Sequence, residues 1–128
     1  MLGTKELLKL VKEIKLVENL DERELTNPEG SGFDVRAAEF FKLADEEGYL
    51  GVKERHTPNV ISVAKHGVDK EITIKPGEFY LVKTMEKVNL PNDINVIIRP
   101  RSTLQRCGVT LASGSVGPGY CGEFNFGI

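Results

Sequence analysis

From Thr4 to Lys15 the apolar residues Leu7, Leu8, Leu10, Val11 and Ile14 return at three- and four-residue spacing, with Lys5, Lys9, Lys12 and Glu13 between them. That period predicts an amphipathic helix over about residues 4–15. Thr4 is placed to cap its N-terminus, and Glu6 suits the positive end of the dipole. The run NPEGSG, residues 27–32, predicts a loop by its Pro, Gly and Ser content. In the block that follows, GFDVRAAEF, Phe33 and Val35 alternate with Asp34 and Arg36, so a short strand is expected there. Asp34 and Arg36 would share one face, either as a surface ion pair or as a pair that orients a site.

Period two takes over further along. Residues 44–66 hold Gly48, Gly51 and Pro58, with weak strand patterns at Tyr49–Val52 and Val60–Ala64, and predict an irregular excursion. Beyond it Glu71–Ile74 alternates, Lys75-Pro76-Gly77 is a turn, and Phe79–Thr84 is a strand that Val88–Leu90 continues. Pro91-Asn92-Asp93 is a second turn, and Ile94–Ile98 is an apolar strand. Short strands about ten residues apart, joined by turn chemistry, predict an all-β sandwich or barrel rather than alternating β/α units. No internal repeat or low-complexity segment interrupts the chain.

Composition narrows the function. A chain of 128 residues reads as one domain with a core of its own. A net charge of −2 argues against a general nucleic-acid or membrane-surface binder, and no apolar run is long enough to span a bilayer. Cys107 and Cys121 have no Cys or His partner at zinc-ligand spacing. They are two reduced thiols or one disulfide, and without a signal-peptide pattern the expectation is reduced thiols in a cytoplasm. His56 and His66 sit in polar surroundings and read as surface residues.

Candidate chemistry gathers between Arg99 and Ile128, RPRSTLQRCGVTLASGSVGPGYCGEFNFGI. Arg99, Arg101 and Arg106 surround a Ser-Thr pair, and guanidinium groups beside hydroxyls and backbone N–H donors suit a phosphate-bearing ligand. Gly114, Gly117, Gly119 and Gly122 allow close backbone approach, and Tyr120 among them can offer an aromatic face to a sugar or base, or else join the core.

Three of these blocks, in order, resemble the motifs of the trimeric dUTPase and dCTP deaminase superfamily. GFDVRA is similar to its first motif, PRSTL to its second, and GSVGPGYCGE to its third, while KPGEFYLVKTMEKVNLP resembles the segment leading into the second. The resemblance runs from about Gly32 to the end and implies a distorted jelly-roll-like β-barrel, residues 32–128, of the dUTPase-like or β-clip kind behind the short helix. It implies a homotrimer with sites at subunit interfaces, and a deoxyribonucleoside triphosphate, dUTP or dCTP, as ligand. It casts Arg101, Ser102, Thr103 and Arg106 as phosphate-binding residues. Leu111, Ala112 and Gly114 fall on the hairpin whose main chain reads the pyrimidine, and Tyr120 on the aromatic residue that packs on deoxyribose. Mg²⁺ would enter through the triphosphate oxygens, with no direct protein ligand.

The departures are as informative. The water-holding Asp of the dUTPases falls on Gly117, and the essential Glu of the deaminases on Gly127. Glycine can neither hold a water nor take a proton. Glu123 and Asp34 are the remaining carboxylate candidates, although the usual part of Asp34 is structural. The stretch from Arg106 to Pro118 is shorter than in the deaminases and points towards the dUTPase branch, or towards archaeal and viral members that sit between the two. The resemblance also implies a further motif and a closing arm after Ile128, so a C-terminal part is expected beyond these residues. Three functions stay open: dUTP hydrolysis to dUMP and pyrophosphate, zinc-independent deamination of dCTP to dUTP, or nucleotide binding without turnover.

Overall fold

The structure is a computed structural model that describes residues 1–112 and 114–128. In chain order the elements are α1 (Thr4–Ile14), β1 (Val17–Glu18), α2 (Glu22–Thr26), β2 (Ala37–Leu43), β3 (Tyr49–Leu50) and β4 (Arg55–His56). They continue with β5 (Val60–Lys65), β6 (Leu81–Asn89), β7 (Val96–Ile97), α3 (Ser102–Arg106), β8 (Ser115–Val116) and β9 (Cys121–Gly127). The fold is all-β and dUTPase-like, with a short N-terminal helix, and every strand pairing is antiparallel.

β6 is the spine. Its residues 81–84 pair with β2 and its residues 87–88 with β1, while β9 runs along the opposite edge. β5 closes the other side of β2. The alternation read in the sequence explains this strand: Val82, Thr84, Glu86 and Val88 are buried on one face, with Leu90 following in phase. Two polar residues in that row need partners. Thr84 Oγ1 donates to the Glu86 carbonyl at 2.8 Å and accepts the Phe124 N–H at 2.9 Å. It thereby fills the gap where the β6–β9 register shifts between Lys83 and Lys87.

Leu16, Val88, Leu90 and Phe124 form the core cluster, with Leu7, Leu10 and Val11 of α1 packed against it. The apolar stripe of α1 therefore lies over the sheet, leaving a groove of ≈ 1180 Å³ beside Leu7, Leu10, Phe33, Ile94, Val96 and Phe124.

Several expectations need correction. Thr4 is not the cap of α1; Gly3 holds that place, and the Thr4 hydroxyl donates to the Gly30 carbonyl at 2.7 Å. The strand expected from Gly32 starts only at Ala37. Ahead of it the backbone N–H groups of Asp34 and Arg36 bond to side-chain carboxylates, Glu24 Oε2 at 3.0 Å and Glu86 Oε2 at 2.8 Å, instead of a ladder. Residues 71–74 form no strand, and the strand expected at 94–98 shrinks to Val96–Ile97. Conversely, the weak pattern at residues 60–64 is a full strand, β5, whose bulged register with β2 explains its blurred alternation.

Candidate functional site

Arg101 caps α3 in an extended conformation, and its carbonyl accepts the N–H groups of Leu104 and Gln105 at 3.0 and 3.3 Å. The N–H groups of Ser102 and Thr103 precede the first helical bond, as at any helix start. Among the described residues neither they nor the two hydroxyls have a hydrogen-bond partner. Ser102, Thr103 and Arg106 are all exposed. The Arg101 guanidinium is half-exposed, ion-paired with Asp34 Oδ2 and 3.9 Å from Glu29 Oε2. Arg106 ends α3, and among the described residues neither it nor Arg99 has an ion-pair partner.

Asp34 and Arg36 do not pair with each other. Asp34 turns to Arg101, while Arg36 Nε donates to the fully buried Glu86 at 2.7 Å, with Nη1 3.2 Å from Asp21 and Nη2 on the Asn19 carbonyl. The second carboxylate candidate, Glu123, stands on the exposed face of β9 opposite Lys87, with no ion pair among the described residues.

Behind Asp34 stands a carboxyl that sequence reasoning missed. Glu24, on α2, is 2% exposed, and its Oε2 accepts the Asp34 N–H at 3.0 Å. Its Oε1 is closed from solvent with no hydrogen-bond partner among the described residues. Burial holds the Glu24 carboxyl above the usual carboxylate range, opposed by Arg23. A signal existed in DERELT: Asp21 caps α2 and accepts the Arg23 N–H at 3.0 Å, and Glu24 holds the third helical position of a capping pattern. For Glu86 the signal is a charged residue in the buried phase of an alternating strand.

On the nucleoside side, Ala112 is bridged to Gly127 through both of its backbone groups, at 2.8 and 3.1 Å. Its own N–H and C=O are therefore engaged inside the sheet. Leu111 is half-buried, and Gly114 is exposed with its carbonyl 3.5 Å from the Ile98 N–H. Ser113, between them in the expected base-reading hairpin, lies outside the described residues. Tyr120 follows Gly119, whose φ of +78° makes the tight turn, and its hydroxyl donates to the Glu123 carbonyl at 2.6 Å. The ring lies at 6.5 Å from that of Phe124, close to parallel, and remains 38% exposed. It is a surface ring with one face supported by the core.

Within one chain, no hydrogen bond, ion pair or ring contact among the described residues joins the arginine cluster to Tyr120 or Glu123. Among the described residues there is also no group of three or more His, Cys, Asp or Glu able to hold a metal ion, and no helix long and apolar enough to cross a membrane. Cys107 and Cys121 are exposed free thiols, and Cys121 Sγ lies 3.0 Å from Asn89 Oδ1.

The family model described as dCTP deaminase-like matches residues 1–128. A dUMP-forming dCTP deaminase of Kocuria rhizophila is 35% identical over 93 residues, 70% of this chain and 48% of the relative. One from Dictyoglomus turgidum is 29% identical over 127 residues, covering 96% and 66%. A deoxyuridine 5'-triphosphate nucleotidohydrolase of Methanocaldococcus jannaschii is 32% identical over 108 residues, covering 83% and 66%. The chain thus spans from about half to about two thirds of the length of these curated relatives.

Proposed function

From a chain that belongs to the dCTP deaminase-like family, we propose a protein that binds a pyrimidine deoxynucleoside triphosphate and hydrolyses dUTP to dUMP and pyrophosphate. The observation that carries the binding is the head of α3. There an ion-paired guanidinium, two hydroxyls and two unengaged N–H groups converge from Arg101, Ser102 and Thr103. Charge-assisted donors fixed on one short element hold a polyphosphate in a single geometry. Arg106 adds a second cation, and Tyr120 offers its exposed face to the deoxyribose. No protein ligand set for Mg²⁺ stands among the described residues, so the triphosphate oxygens would hold it, and it would supply charge compensation there.

Hydrolysis is favoured over deamination by Gly127. A Cβ there would stand 2.5 Å from the Phe79 ring, so a side chain at the position to which the resemblance assigns the deaminase carboxylate would overlap an aromatic ring. In the free chain Asp34 is paired with Arg101, and of the two carboxylate candidates Glu123 is the exposed one without an ion pair among the described residues, so it is the candidate to hold the attacking water. Among the described residues no hydrogen bond, ion pair or ring contact joins the arginine cluster to Tyr120 within a chain, which fits a homotrimer whose sites are shared between subunits. The absence of a side chain at both Gly117 and Gly127 favours a second reading, a cradle that binds without turnover.

Pyrophosphate release from dUTP and ammonia release from dCTP, each with Mg²⁺, separate these readings. Pyrophosphate without ammonia is expected, and chelation of the metal should stop it. Silence in both assays with nucleotide-dependent stabilisation would establish binding alone. Arg101→Ala should weaken dUTP binding by at least about 30-fold, the value of a charge-assisted pair of about 2 kcal/mol; unchanged binding would move the site elsewhere.

A further inference from the structure

Glu24 stands behind the phosphate-binding arginine without touching the ligand surface. Its Oε1 is shut from solvent and accepts no hydrogen bond among the described residues, an arrangement an apolar side chain would relieve. Its Oε2 fixes the Asp34 main chain at 3.0 Å, and the Asp34 carboxylate in turn holds the Arg101 guanidinium. A chain of contacts therefore runs from a buried carboxyl on α2, through one residue, to the exposed head of α3. The charged groups facing Glu24 are Arg23 beside it, Asp21 at the cap of its helix, Glu29 in the following loop, and Arg101.

We propose that Glu24 is a positioning residue for Arg101, and that its carboxyl takes a proton from solvent when a polyphosphate draws the guanidinium away from Asp34. This rests on Arg101 being the phosphate ligand. In the free chain Arg101 offsets the carboxylates of Asp34, Glu29 and Glu24. An arriving anion both engages that cation and brings negative charge of its own. The carboxyl with least access to water responds most, because hydration cannot screen it. Binding is then linked to proton uptake, and affinity falls as pH rises through the titration of Glu24.

Calorimetric titration with inorganic tripolyphosphate and with dUTP, in two buffers of different ionisation enthalpy between about pH 5 and 8, counts the protons taken up. The ligands' own titration cancels in the comparison between variants. Glu24→Gln keeps the acceptor for the Asp34 N–H and removes the titrating group. It is expected to bind within about threefold of the original chain at pH 5.5, with the proton uptake and the associated pH slope lost. Glu24→Asp keeps the charge but withdraws it from the Asp34 N–H, and is expected to weaken both ligands by about tenfold in a chain that still shows a cooperative, if lowered, melting transition. Unaltered proton uptake in Glu24→Gln, or unaltered affinity in Glu24→Asp, would overturn the proposal. Arg101→Ala is the control: its loss of both ligands keeps the phosphate reading whatever Glu24 does, and its binding both normally would remove that reading itself.

Discussion

Gly117 stands where the motif resemblance puts the acid of the dUTPases and Gly127 where it puts that of the deaminases, yet the two differ in what surrounds them. A Cβ at Gly117 would meet no heavy atom within 4 Å, whereas at Gly127 it would meet Phe79 at 2.5 and 2.6 Å and Ala112 Cβ at 3.3 Å. Gly117→Asp should therefore fold with an unchanged melting temperature, and if a water is waiting there, dUTP turnover should rise by orders of magnitude. Gly127→Glu should instead destabilise by about 1–3 kcal/mol through overpacking. Adding Phe79→Ala should recover part of that loss, which chemical denaturation of the single and double variants would show. Glu86 is a third kind of residue, an acceptor for both the N–H and the Nε of Arg36 in a fully buried position. Glu86→Ala leaves those donors without a partner and should cost about 1–3 kcal/mol in urea unfolding.

The strands and helices show where local pattern is a sufficient guide. α1 packs one half-buried face on the core and β6 buries one face, so a period of three to four or of two is written directly into their residues. The stretch from Asp34 to Arg36 has the same alternation and is no strand, because its N–H groups are claimed by Glu24 and Glu86, ten and fifty positions away. Such partners are visible only after folding. For the same reason Arg101, Ser102 and Arg106 stand out as a cluster in the sequence, whereas the capping pattern of Glu24 and the buried phase of Glu86 mark those residues without naming their partners, the Asp34 N–H and Arg36. β9 is anchored by Phe124, 5% exposed in the core and under the Tyr120 ring. Phe124→Ala should lose about 3–5 kcal/mol and release Tyr120 as well. Gly122, with φ +152°, lets Tyr120 lie across the strand, and a Cβ there would stand 3.1 Å from its hydroxyl.

Across the chain the carboxylates respond to pH in opposite senses. Glu18, Glu39, Glu46 and Glu78 are held below their usual range, chiefly by hydrogen bonds from Asn89, Ser62, Asn59 and Tyr80 respectively. Their contribution is present above the unfolded value and is lost as pH falls through the lowered ones. Glu24, raised by burial, does the reverse: its contribution is full below the unfolded value and fades as pH rises through the raised one. Calorimetric melting should accordingly find Glu24→Gln more stable than the original chain at pH 7 and not at about pH 4. At the edge of the sheet, Val60, Ile61 and Val63 of β5 are exposed, so the chain carries adhesive surface beyond its site.

The hydroxyl of Thr84 has a consequence in time as well as in energy. It holds the Phe124 amide where the sheet would otherwise supply a carbonyl, and so locks two halves of β9 that are out of step with β6. Thr84→Val would leave that amide proton with no acceptor, and it should trade with deuterium at the rate of a local opening while Lys83 and Asn125 stay slow. The same hydroxyl then acts as the pawl that keeps the Tyr120 end and the Gly127 end of one strand from sliding past each other.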